Sequence, residues 1–114
     1  MKQFMFLFKG GDAVWESKTQ QEQEAHMQQW QQWISSMAQQ EKFLGGERLY
    51  PSGNTIHPGN KKVTDRPLSE AKELVGGYFV VKADSLTEAT EMAKSCPGLD
   101  WESTVEVREV WPEN

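Results

Sequence analysis

The chain has 114 residues, with 12 Lys and Arg against 17 Asp and Glu and a formal charge of -5. That length makes one domain, residues 1–114, with enough surface to bury a core of its own. The acidic balance excludes the basic face a nucleic-acid partner needs, and a lone cysteine excludes an internal disulfide and fits a reducing cytoplasm. The opening apolar run, Phe4-Met5-Phe6-Leu7-Phe8, is too short for a membrane span or a signal peptide.

Residues 3–9 read as a central strand, closed by Gly10-Gly11-Asp12. Residues 12–18 read as a loop whose Trp15 folds back on the domain. Thr19 and Glu22 have the spacing of a capping box, which opens a helix running to about residue 42. His26, Trp30, Trp33 and Met37 recur at i, i+4, i+7 and i+11, flanked by Met27 and Ile34, so one apolar stripe opposes a Gln-rich solvated face. Gly45-Gly46 ends this helix and starts a second strand through about Tyr50. The turn residues Pro51 to Asn54 follow, then a small hairpin around Pro58-Gly59-Asn60.

Asp65 ahead of Pro67 marks a turn, with a turn of helix over residues 68–74. Gly76-Gly77 bends the chain into a strand over residues 78–83. Ser85 and Glu88 form a second capping box before a short helix carrying Leu86, Ala89, Met92, Ala93 and an inward Cys96, stopped by Pro97-Gly98. Residues 104–110 alternate, Val105 and Val107 one way, Glu106 and Arg108 the other. The sum is an α+β ferredoxin-like βαββαβ sandwich with an inserted hairpin. Its helices cover one sheet face, so a second copy of the chain is the simplest cover for the other, giving a homodimer. Glu106 and Arg108 either mark a wet cleft on that face or pair with each other on a rim.

Asp65-x-Pro67, Glu70-x-Lys72-Glu73, Gly76-Gly77-Tyr78-Phe79, Ser85-Leu86-x-Glu88-Ala89, Cys96-Pro97 and Val105-Glu106-Val107-Arg108 together resemble the DGPF branch of the YCII-related proteins. Phe4 to Gly10 and the Trp-bearing first helix match as well. The resemblance implies a dimeric α+β barrel and no settled activity, with a histidine–aspartate pair in a cleft suggested as catalytic. The name motif reads Asp65-Arg66-Pro67-Leu68 here, and the first-helix histidine of the shorter branch falls at Trp30, one turn beyond His26. The expected catalytic residues are Asp65 as general base and His26 as proton shuttle. The expected ligand-binding residues are Arg108, Glu106, Lys72 and Trp30. No metal site and no cofactor are expected. The altered motif favours a small-molecule-binding or accessory, regulatory protein. The alternative is a small enzyme doing acid–base chemistry of isomerase or lyase type on a small anionic molecule.

Overall fold

The computed structural model describes residues 1–65 and 73–112. In chain order it has strand β1 (Lys2–Lys9), helices α1 (Asp12–Ser17) and α2 (Gln20–Gln39), strands β2 (Phe43–Arg48), β3 (Thr55–Ile56), β4 (Val63–Thr64) and β5 (Val75–Ala83) and helix α3 (Leu86–Ala93). A 3-10 turn (Pro97–Trp101) and strand β6 (Thr104–Glu109) complete it. The main sheet runs β2-β5-β1-β6 with every neighbouring pair antiparallel, and β3 and β4 form the separate hairpin. Setting the hairpin aside, this is the ferredoxin-like arrangement.

The apolar run of β1 makes it a central strand, bonded to β5 on one side and β6 on the other. Its three alternate phenylalanines decide the core. Phe4 and Phe6 are fully buried and Phe8 nearly so, packed with Trp33 and Met37 from α2, Ala89 and Ala93 from α3, and Phe79 and Val81 from β5. Each fully buried phenylalanine contributes about 1.5–3 kcal/mol. The register places Val105 and Val107 of β6 opposite Phe8 and Phe6, on the helix-covered face. Met5 and Leu7, with Val80 and Tyr78 opposite them, occupy the other face and are half-buried.

α2 begins where its chemistry dictates. The Thr19 hydroxyl accepts from the Glu22 N–H at 3.1 Å and the Glu22 carboxylate accepts from the Thr19 N–H at 3.0 Å. This leaves the Glu22 carboxyl below its usual range, first through that backbone N–H.

Four local expectations are corrected. Residues 12–17 are helical, because Gly11 in a left-handed conformation (φ 85°) turns the chain off β1 and its carbonyl accepts from the Trp15 N–H at 3.0 Å. α2 stops at Gln39 and Glu41 takes the positive φ of 59° that breaks it, so β2 starts at Phe43, ahead of the glycine pair. Gly76 and Gly77 lie inside β5 instead of bending into it, with a bulge at that point: Phe8 faces Gly77 and Lys9 faces Val75. The second capping box is half made. Ser85 accepts from the Glu88 N–H, but the Glu88 carboxylate takes the Asp84 N–H at 3.1 Å and the Lys42 ammonium at 2.7 Å. The helical turn expected at 68–74 falls largely outside the described residues.

Candidate functional site

One cavity of about 340 Å³ opens between α1, α2, the 3-10 turn and the ends of β1, β2 and β5 that meet there. This is the size of a small-molecule site. Its apolar wall is aromatic, from Phe8, Trp15, Trp30, Phe79 and Trp101, and its polar groups are Asp12, His26, Gln31, Glu47, Arg48 and Ser103. Six of the chain's nine glycines also line it.

Helical spacing along α2 places His26 and Trp30 one turn apart, so both reach the same space. The Trp30 indole N–H donates to His26 Nε2 at 3.1 Å. An indole nitrogen can only donate, so Nε2 carries no proton and the neutral ring holds its proton on Nδ1. His26 is 7% exposed and lies flat on Trp101, with ring centroids 3.7 Å apart and planes 4° apart. Burial lowers the His26 pKa below its ordinary 6.5, opposed by the charge of Asp100. The ring is therefore neutral at physiological pH.

Long-range contacts bring the other walls in. Gln23 of α2 donates to the Trp15 carbonyl at 2.7 Å and ties α1 down. Ser103 donates to the Gly10 carbonyl at 3.3 Å, joining the chain ahead of β6 to the end of β1. Trp15 and Trp101 pack at 6.0 Å, and each carries a cation over its ring at 5.2 Å: Arg48 on Trp15 and Lys18 on Trp101. Trp30 meets Phe8 and Phe79 edge-on. The result is an aromatic cavity in which His26 covers one face of Trp101 and the charged lining is Asp12, Glu47 and Arg48.

Of the residues expected from sequence, His26 and Trp30 line this cavity. Asp65 is exposed, directly after β4, and is not among the lining residues. Glu106 and Arg108 stand opposite Leu7 and Met5, on the sheet face away from the helices. There the Glu106 carboxylate accepts from Lys9 at 2.9 Å and from Arg108 at 3.2 Å, which holds its carboxyl below the usual range. The two pair with each other, as one of the readings left open for them has it, and Lys9 shares the same carboxylate. Lys72 lies outside the described residues. Trp15, Trp101, Arg48, Ser103 and Asp12 went unassigned in the sequence because they come from separate segments with no shared period. The signal present was compositional: five tryptophans in a short acidic chain, and glycine pairs at 10–11, 45–46 and 76–77.

Among the described residues no group of three His, Cys, Asp or Glu is placed to hold a metal ion, and no helix is long and apolar enough to cross a membrane. The family profile described as the YCII-related domain matches residues 3–114. No curated protein matches. Among solved structures, the chain is similar to 5-chloro-2-hydroxyhydroquinone dehydrochlorinase from Burkholderia phenoliruptrix AC1100, determined in complex with 2,5-dihydroxybenzoquinone. That match has a TM-score of 0.53 and 15% identity, and covers 98% of this chain and 95% of the other. At that identity the likeness speaks to the fold.

Proposed function

The chain belongs to the YCII-related domain family, and from that membership we propose that it is a cytoplasmic, homodimeric small-molecule-binding protein whose ligand is a small planar ring with an anionic or oxygen-rich edge. The observation that carries this is the slot itself, a cavity walled by Phe8, Trp15, Trp30, Phe79 and Trp101 with Arg48 in its lining. A flat ring gains apolar burial against that aromatic wall, and the Arg48 guanidinium favours a negative edge. The dehydrochlorinase of like fold holds such a compound, 2,5-dihydroxybenzoquinone, which makes it the first probe to use. The two-fold assembly rests on the half-buried Met5, Leu7, Tyr78 and Val80, which a second sheet would cover.

A second reading, an acid–base enzyme of isomerase or lyase type acting on a small anionic substrate, is favoured by a neutral, buried histidine in the same cavity. The Trp30 hydrogen bond counts against it, since the Nε2 lone pair a general base would use is already occupied. Asp65 enters this reading as the second acid–base group.

Titration of the protein with 2,5-dihydroxybenzoquinone, followed by quenching of tryptophan fluorescence and by calorimetry, tests both. Saturable binding that Arg48→Ala weakens, with the compound recovered unchanged, supports the binding protein. Conversion of the compound that His26→Gln or Asp65→Asn abolishes moves the assignment to the enzyme. No binding by 2,5-dihydroxybenzoquinone or by a panel of hydroxylated benzoates overturns the ligand class.

A further inference from the structure

The glycines around the cavity are not alike. A Cβ built on Gly11 meets the Ser103 hydroxyl and, at 3.2 Å, the Trp101 carbonyl oxygen; one on Gly46 meets the Tyr78 carbonyl and the Phe79 ring. At Gly77 it comes 3.0 Å from the Glu47 carbonyl oxygen, and at Gly98 3.1 Å from Ser103 Cβ and 3.2 Å from the Trp30 ring. In these four places the protein's own atoms occupy the room a side chain would take, so packing accounts for the glycine.

Gly76 differs. Its φ is outside the positive range that disfavours side chains, and among the described residues a Cβ there meets nothing nearer than the Phe8 carbonyl oxygen at 3.9 Å, an ordinary contact. It is the extra residue of the β5 bulge, and its carbonyl accepts from the Leu49 N–H at 2.9 Å, a bond any residue could make. Glycine in a strand interior carries an entropic penalty and offers no side chain to pack. Neither backbone conformation nor packing among the described residues calls for it, yet it borders the cavity with Phe8, Gly77 and Phe79.

We infer that Gly76 is a specificity-determining residue: the missing side chain keeps open the part of the cavity beside Phe8 and Phe79, and so sets how large a ring system the slot admits. This rests on the binding-slot reading above and adds a size limit to it. One-ring and fused two-ring oxygenated compounds both fit the native chain, and a branched side chain at position 76 rejects the larger.

The test uses the full chain, Gly76→Ala and Gly76→Leu, each titrated with 2,5-dihydroxybenzoquinone and with 2-hydroxy-1,4-naphthoquinone, with melting curves alongside. The expected result is that Gly76→Ala melts at or above the native temperature, and that Gly76→Leu loses at least tenfold more affinity for the two-ring probe than for the one-ring probe. If the native chain binds both probes and Gly76→Leu binds them with an unchanged ratio, the size-limit role is overturned and the slot stands. If Gly76→Ala melts well below the native chain, the fold needs this glycine and the inference is overturned on that ground. If the native chain binds neither probe, the slot reading itself falls and takes the inference with it.

Discussion

Trp30 and His26 sit one turn apart on α2, and the indole N–H of the first fills the Nε2 lone pair of the second at 3.1 Å. Protonating His26 would set two N–H groups against each other there, so this contact adds to burial in keeping the ring neutral. In the unfolded chain the imidazole takes up a proton near 6.5, whereas the folded ring does so only at lower pH. Between those two values the unfolded state holds more protons, and stability falls as pH falls. His26's contribution is therefore complete above about pH 6.5 and is lost as pH drops through the lowered folded value. Melting temperatures from pH 8 to pH 5 should show this decline, and His26→Gln, whose amide oxygen can still accept from Trp30, should flatten it. An equal decline in both proteins would remove His26 as its source.

Trp30→Phe keeps a ring against Phe8 and Phe79 but withdraws the donor. The expected cost is about 1–3 kcal/mol, from the lost bond, the polar atom left unpaired and the smaller ring. The His26 pKa should also move back toward its ordinary value, which imidazole resonances followed by NMR titration would report. Destabilisation with no movement of that pKa would limit Trp30 to packing.

Cys96 is 3% exposed at the base of the 3-10 turn, and burial pushes its thiol up to about 11, against backbone N–H groups of Gly98 and Leu99 that pull the other way. In the folded protein at pH 8 it should resist a disulfide reagent, and one thiol per chain should react after unfolding. Prompt reaction in the native state would contradict this burial.

Gly11 combines a φ of 85° with a Cβ position already taken by Ser103. Gly11→Ala should cost about 1–3 kcal/mol through backbone strain alone, and more once Ser103 is displaced from Gly10. Urea denaturation measures the loss. Because Gly76→Ala is expected to be neutral or better, the two alanine substitutions make an internal comparison.

The proposed homodimer makes a separate prediction. Light scattering should give a mass near twice the 13.0 kDa of the chain. Leu7→Glu, which adds a carboxylate opposite Glu106 on the exposed sheet face, should give the single-chain mass with an unchanged far-ultraviolet spectrum. A native protein that runs as a monomer at micromolar concentration would remove the dimer.

Much of the scaffold was legible residue by residue, because the forces that set it are local. The Thr19–Glu22 box and the stripe of His26, Trp30, Trp33 and Met37 need only helical spacing to be read, and the alternation of Val105 and Val107 with Glu106 and Arg108 needs only the period of a strand. Alternation defines two faces without saying which one meets the helices. That was decided when β6 paired with β1 so that Val107 came opposite Phe6 and Glu106 opposite Leu7. The candidate site is non-local in the same way. His26 and Trp30 were visible as neighbours on α2, but Trp15, Arg48, Trp101 and Ser103 reach them from the first helix, a strand end, a 3-10 turn and the residue ahead of β6. No period joins such positions. Only closure of the sheet and docking of the loops puts Trp101 flat against His26, because stacking and hydrogen bonding act over a few ångströms of space and take no account of separation along the chain.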